Sequence, residues 1–191
     1  RSTLFPYTTL FRSRTGGIQL STQMPCGFVF TANVGSARSQ GAELDVQVMP
    51  VAGLTFGLTG SYVDAELAKA LPGVSYAEKG SRLPAVPRNN ASLSVRYERS
   101  VFESATAFFF GNVRHVGSSY VHFLERPQDF VDSYTLVDAR VGLELPSLAF
   151  TLSLYNVFDE QPVFYRENNR GELLTDVGRP RTVALQLGYR F

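Results

Sequence analysis

Two histidines and two serines crowd into one short stretch: His115, Ser118, Ser119 and His122. A serine hydroxyl beside an imidazole is the start of nucleophilic acyl transfer, because the ring must take the hydroxyl proton. Nothing here orients the pair as nucleophile and base, so the reading adopted is a pair of loop-proximal histidines near an interface. The chain also has no phosphate-binding glycine loop, zinc-ligand pair or nucleophile elbow. His115 and His122 could touch haem or a metal, yet they form no recognised ligand motif. No catalytic residue, metal ligand or cofactor is therefore expected. Cys26 is the single cysteine; it reads as an inert thiol rather than half of a disulfide. Asn90-Ala91-Ser92 matches a glycosylation sequon, taken as a chance match on a strand.

Binding chemistry has better candidates. Arg96, Arg114 and Arg140 stand against Glu43, Asp45, Asp138 and Glu144, each in a segment of alternating polar and apolar residues. Such a set either meets an anionic ligand or forms a solvated, mutually paired wall, and the second reading is preferred because ion pairs of that kind are commonplace. Tyr76, Tyr120, Phe123, Phe164 and Tyr165 fall in long polar connections. There they either clasp a ligand or anchor an interface.

The elements that hold these residues are strands. Leu44, Val46 and Val48 alternate with Glu43, Asp45 and Gln47; Leu54, Phe56, Leu58 and Tyr62 with Thr55, Gly57, Thr59 and Ser61; Ala91, Leu93, Val95 and Tyr97 with Ser92, Ser94 and Arg96. The same period of two runs through residues 137–145, 150–154 and 182–191, and it is the strand signature. Residues 106–116 are also strand-like, although the triplet Phe108-Phe109-Phe110 leaves their faces ambiguous. A vestigial strand is expected at 17–22.

Short turns are expected at 50–53, 99–103 and 146–147. Long polar connections are expected at about 23–39, 65–87, 118–132 and 159–178. Short periplasmic turns and long extracellular loops are the rule for outer-membrane barrels. A periplasmic Phe191 places all the long connections outside. Tyr97, Tyr189 and Phe191 then fall at periplasmic ends and Tyr62 at an extracellular one, the levels of the aromatic girdles.

Composition agrees. The 191 residues carry 18 basic and 17 acidic side chains and no Trp, with 15 Phe and 9 Tyr. Near-zero charge excludes the basic face of a nucleic-acid binder, and abundant apolar residues exclude disorder. No apolar run approaches the roughly 20 residues of a membrane-spanning helix, whereas a barrel strand needs only about 9–11, half of them apolar. The fold class expected is all-β: an antiparallel transmembrane β-barrel fragment of about eight meandering strands.

Residues 1–13 read RSTLFPYTTLFRS, with Thr-Leu-Phe at Thr3 and again at Thr9. They show no signal-peptide pattern. Residues 3–13 match one translated frame of a common short-read sequencing adapter, so the native domain is expected at 14–191.

From about Gly16 to Phe191 the chain resembles the C-terminal barrel of the TonB-dependent receptors. The resemblance rests on Gly41-Ala-Glu-Leu-Asp45, Gly60-Ser-Tyr-Val-Asp-Ala-Glu66, Gly80-Ser-Arg-Leu-Pro-Ala-Val-Pro87, Val137-Asp-Ala-Arg140, Asn156-Val-Phe-Asp159, Gly178-Arg-Pro-Arg-Thr182 and Gly188-Tyr-Arg-Phe191. Each piece is weak alone; their order and spacing are specific. The resemblance implies a barrel of about 22 strands, plugged by an N-terminal domain and energised through TonB. Substrates of such receptors include ferric siderophores, haem, cobalamin and carbohydrates. It further implies that Phe191, with Tyr189, Leu187, Leu185 and Val183 at alternate positions before it, is read by the barrel-assembly machinery. The charged wall would then face the plug or an anionic substrate. Partners implied are outer-membrane lipid, the plug of the same chain, TonB and the assembly machinery, with no nucleic acid. Two other readings stay open: a small self-contained barrel with an adhesive or structural role, and a soluble β-sandwich binding module.

Overall fold

The structure is a computed structural model that describes residues 3–23, 29–71, 75–102, 104–169 and 172–190. Cys26 and Phe191 lie outside the described residues. In chain order the strands are β1 (Thr3–Gln23), β2 (Val29–Val51), β3 (Leu54–Leu67), β4 (Asn89–Phe102), β5 (Ala105–Val116), β6 (Ser119–Tyr120), β7 (Phe130–Val131), β8 (Tyr134–Glu144), β9 (Leu148–Tyr155), β10 (Val163–Asn169), β11 (Glu172–Val177) and β12 (Thr182–Tyr189). A 3-10 turn, Pro127–Asp129, precedes β7.

Eight of these strands form one antiparallel sheet in the order β1-β2-β3-β4-β5-β8-β9-β12, each paired with its neighbour in sequence. Among the described residues nothing pairs β1 with β12, so the sheet is open. An eight-stranded barrel closed on itself, the first of the alternative readings, would need that pairing.

The register explains the sequence pattern. Residues directly opposite share a face, and one outward row runs Leu54, Tyr97, Phe109, Val141, Leu152, Leu185 across six strands. A second runs Val46, Leu58, Leu93, Val113, Val137. In mid-sheet, Leu93 remains 51% exposed and Val141 and Leu152 46% each. A β-sandwich would bury such a face against a second sheet, and none of the described strands covers it. An 11-residue strand such as β8, tilted by about 40°, rises roughly 28 Å, close to the height of a barrel's apolar band. Lipid is the solvent this face fits.

The triplet in β5 resolves the same way. Phe109 joins the outward row, while Phe108 and Phe110 turn inward opposite Glu98 and Arg96.

The two ends of the sheet differ. At one end the turns are tight: Ala52–Gly53 between β2 and β3, and residues 145–147 between β8 and β9. Gly53 has φ 81°, its carbonyl accepts from Glu98 N at 2.8 Å, and a Cβ there would strike the Glu98 carbonyl oxygen. At the other end the connections are long. Two expectations need correction there. Residues 29–39, expected in a long connection, lie in β2 and pair with β1; the alternation is weak, but backbone pairing to an adjacent strand does not require it. The strand expected at 17–22 extends over Thr3–Gln23. Residues 3–13 are thus paired with 39–49. Edge pairing uses backbone groups only, so the origin of those codons is a separate question for resequencing.

Among the described residues, the end of β3 and the long connections carry a small buried core. Leu67, Leu71 and Ala77 are 0–3% exposed, with Leu83 and Phe123 packed on them. This cluster ties the β3–β4 connection to the β5–β8 connection, as does Ala85 N donating to Tyr120 O at 2.7 Å.

Candidate functional site

The inward face is polar and offers three separate environments. The first is a groove of about 510 Å³ whose lining includes Glu43 and Asp45 on β2, Thr59 and Ser61 on β3, Asn90 and Ser92 on β4, and Arg114 on β5. Their alternation with outward apolar residues brings them together, since Asp45, Thr59, Ser92 and Arg114 are consecutive partners in one row. Glu43, Asp45 and Arg114 make no ion pair among the described residues. The wall here is open and hydrogen-bonding rather than self-paired. Ser92 Oγ donates to Asn112 Oδ1 at 2.8 Å.

The second environment is a ladder of arginines and rings. Arg96, Phe110 and Arg140 stand opposite one another on β4, β5 and β8. Arg96 lies 5.4 Å from the centre of the Phe108 ring and is ion-paired with Glu98. Arg140 lies 5.7 Å from Phe110 and 5.3 Å from Tyr155. A guanidinium over a ring gains roughly 0.5–1 kcal/mol where solvent reaches it. The Arg96 and Arg140 side chains are thus held against the wall by aromatics. Sequence pairing of these arginines with Asp138 and Glu144 does not occur. Glu144 sits at the tight-turn end opposite Thr106 and Ala149.

The third is a knot at the loop end. Asp138 Oδ1 accepts the backbone N–H of Asn156 at 2.9 Å. Asn156 is 4% exposed; its Nδ2 donates to Glu160 O at 2.7 Å and Arg179 O at 2.9 Å, and its Oδ1 accepts from Glu160 N at 3.0 Å. Asp159 Oδ1 accepts from Arg181 N at 2.8 Å. These contacts close the base of the β9–β12 connection, from which the β10–β11 hairpin projects. Sequence reasoning marked Asn156-Val-Phe-Asp159 only as a family signature; its polar ends flanking two apolar residues were the available signal for a turn-locking role.

The loop aromatics divide. Phe123 packs into the small core, Tyr120 stacks on Phe130 at 5.1 Å, and Phe164 meets Tyr134 at 5.5 Å. Tyr76, Phe164 and Tyr165 are 51%, 47% and 37% exposed, so a ligand above the sheet would find these three most available. On the outward face of β12, Val183, Leu185, Leu187 and Tyr189 are 64–69% exposed. The histidines are apart in role: His115 Nδ1 contacts Thr135 Oγ1 at 3.0 Å, and His122 Nδ1 lies 3.4 Å from Asp129 Oδ1. Neither contact involves Ser118 or Ser119.

An open meander with an apolar outer band and a polar, arginine-bearing inner wall is part of a larger barrel. Residues 7–157 match the family model described as "TonB dependent receptor-like, beta-barrel". The chain belongs to the TonB-dependent receptor family. No curated protein matches it. Solved structures do. It is similar to the ferric yersiniabactin uptake receptor FyuA from Yersinia pestis, with TM-score 0.82 and 21% identity over 98% of this chain and 28% of that one. It is also similar to BauA, the ferric preacinetobactin receptor from Acinetobacter baumannii, with TM-score 0.74 and 21% identity over 98% and 27%. For the ferric citrate transporter FecA the values are 0.71 and 19% over 98% and 29%. The TonB-dependent receptor segment described here therefore spans under a third of the length of the solved chains it matches.

Proposed function

We propose that this chain is the C-terminal part of the barrel of an outer-membrane receptor that imports a ferric siderophore with energy delivered through TonB. The observation that carries the reading is the register itself: one face apolar and uncovered, the other polar, over a meander that superimposes on the barrels of ferric-siderophore receptors along 98% of its length. On this reading the tight-turn end, with the C-terminal end of β12, lies at the periplasm, and the loop-end aromatics Tyr76, Phe164 and Tyr165 lie on the extracellular side. Arg140 and the Glu43–Asp45–Arg114 groove meet the plug domain within the lumen. The exposed alternate residues of β12, closing on Phe191, serve as the signal for barrel assembly. The work is binding and translocation, with no covalent step.

The test is uptake of iron-55-labelled ferric siderophores by cells expressing the full-length gene, with and without TonB. Uptake that requires both the gene and TonB is expected. Iron uptake indifferent to TonB would overturn the reading, and TonB-dependent uptake of cobalamin or haem in place of iron would move the substrate class.

A further inference from the structure

Toward the loop end the inward face changes from polar to apolar. Glu43 and Ser61 face each other lower down, whereas their counterparts above, Ala37 opposite Leu67 with Ala65 between, are only 0–8% exposed. Two connections supply the cover. Leu71 and Ala77 of the β3–β4 connection cluster with Leu67, and Phe123 of the β5–β8 connection packs against that cluster. Each connection is braced for the contact. In the first, Leu71 N donates to Ala77 O at 2.8 Å and Gly80 N to Leu67 O at 2.9 Å. In the second, Asp129 is 3% exposed; its carboxylate accepts from Arg126 Nε at 2.7 Å and its carbonyl from Val121 N at 2.9 Å. The two meet again where Ala85 N donates to Tyr120 O. Ala85 has φ 56°, a left-handed conformation that alanine keeps only when its surroundings impose it. The β10–β11 hairpin is attached more loosely, by Arg166 Nη1 donating to Phe130 O at 3.2 Å and by the tilted Phe164–Tyr134 pair.

We propose that the β3–β4 and β5–β8 connections open as one cooperative body on the inner side of the barrel mouth, with Phe123 as the positioning residue for Tyr76. Its use, though not its mechanics, rests on the receptor reading above. Tyr76 is half exposed, yet the next residue, Ala77, is fully buried in the cluster against which Phe123 packs. The place of the Tyr76 ring therefore depends on a side chain from the other connection. A ligand that grips Tyr76 acts on both connections at once. Buried apolar contacts between two segments are lost together when either one lifts, and that makes a local opening cooperative. The β10–β11 hairpin shares none of this cluster among the described residues, so it opens separately.

The experiment is hydrogen–deuterium exchange, read by mass spectrometry, on the full-length receptor in detergent and without ligand. Phe123→Ala is expected to lower protection at least about tenfold in peptides covering 65–71 as well as 119–131, with 163–169 unchanged. Phe123→Leu should restore most of that protection, because it refills the apolar volume. Asp129→Asn loosens the brace behind Phe123 and should also lower protection at 65–71, which keeps the test open if Phe123→Ala folds poorly. A spin label on Tyr76→Cys, in a Cys26→Ser background, should become mobile with Phe123→Ala and stay ordered with Arg166→Ala, which frees only the hairpin. Loss of protection confined to 119–131, or spread equally to 163–169, would overturn the proposal, as would a Tyr76 label indifferent to Phe123. Absence of siderophore uptake by the parent would strike the receptor reading and leave these results standing.

Discussion

Asp138 holds Asn156 through a 2.9 Å hydrogen bond from the Asn156 backbone N–H to the Asp138 carboxylate. The bond joins the inward face of β8 to the residue that follows β9. Asn156 has φ 52°, a left-handed conformation that asparagine tolerates because its short amide bonds locally. That conformation points its side chain back across the connection to Glu160 and Arg179. One residue thereby fixes where β9 stops and β12 starts.

Replacing Asn156 separates the two contributions. Asn156→Ala loses three side-chain hydrogen bonds at a 4% exposed site and keeps the strained φ. A loss of about 2–4 kcal/mol is expected from the unpaired buried groups and the left-handed alanine. Asn156→Gly loses the same bonds without the strain, and should recover about 1 kcal/mol of that. Urea unfolding of the full-length receptor from lipid vesicles reads both. Values for Asn156→Ala within 0.5 kcal/mol of the parent would mean the knot is ornamental.

The outward row gives a sharper contrast. Leu93 lies mid-strand between Leu58 and Val113 and is 51% exposed. Leu93→Arg should cost about 2–4 kcal/mol, the penalty for a cation near the bilayer midplane. Ser94→Arg, one residue away on the inward face, should cost less than about 1 kcal/mol because the lumen is wet. Folding titrations into vesicles compare the two. Equal penalties would contradict the assignment of faces.

Much of this was legible in the sequence, for a physical reason. Strict alternation in residues 54–62, 91–97 and 137–145 is forced by a sheet with lipid on one side and polar surroundings on the other, so the faces of Leu58, Leu93 and Val141 could be read directly. The Phe108-Phe109-Phe110 triplet could not be. Its inward members rest on arginines of neighbouring strands, and cross-strand partners are invisible until the register is known. The charged residues were read only as a set, without pairs: Arg96 is ion-paired with Glu98, two residues along its own strand, and with no acid across the sheet. Residues 29–39 were misjudged because a hairpin that projects past the apolar band has no lipid to impose alternation.

Arg140 should be held by its two rings rather than by charge. A double-mutant cycle of Arg140→Ala with Tyr155→Leu, where the guanidinium lies 5.3 Å from the ring centre, is expected to show coupling of about 0.5–1 kcal/mol. Arg140→Lys keeps the charge but loses the planar stack, so it should retain less than half of that coupling. The coupling should also persist in 1 M salt, at which exposed ion pairs are screened. Coupling that vanishes in salt would identify a carboxylate partner instead.

Gly142 tests the same ladder from below. A Cβ there would run into the Phe108 ring and approach the Phe150 carbonyl oxygen at 2.8 Å, so the ring lies over a position that only glycine leaves free. Phe108 in turn carries Arg96 on its face at 5.4 Å. Gly142→Val must push the ring aside, with overpacking expected to cost about 1–3 kcal/mol. Phe108→Leu removes the ring and should make Gly142→Val cheaper by more than about 0.5 kcal/mol, a non-additivity readable in vesicle unfolding. If the two changes simply add, the ring does not rest on Gly142, and the stacked arrangement of Arg96, Phe108 and Gly142 is wrong.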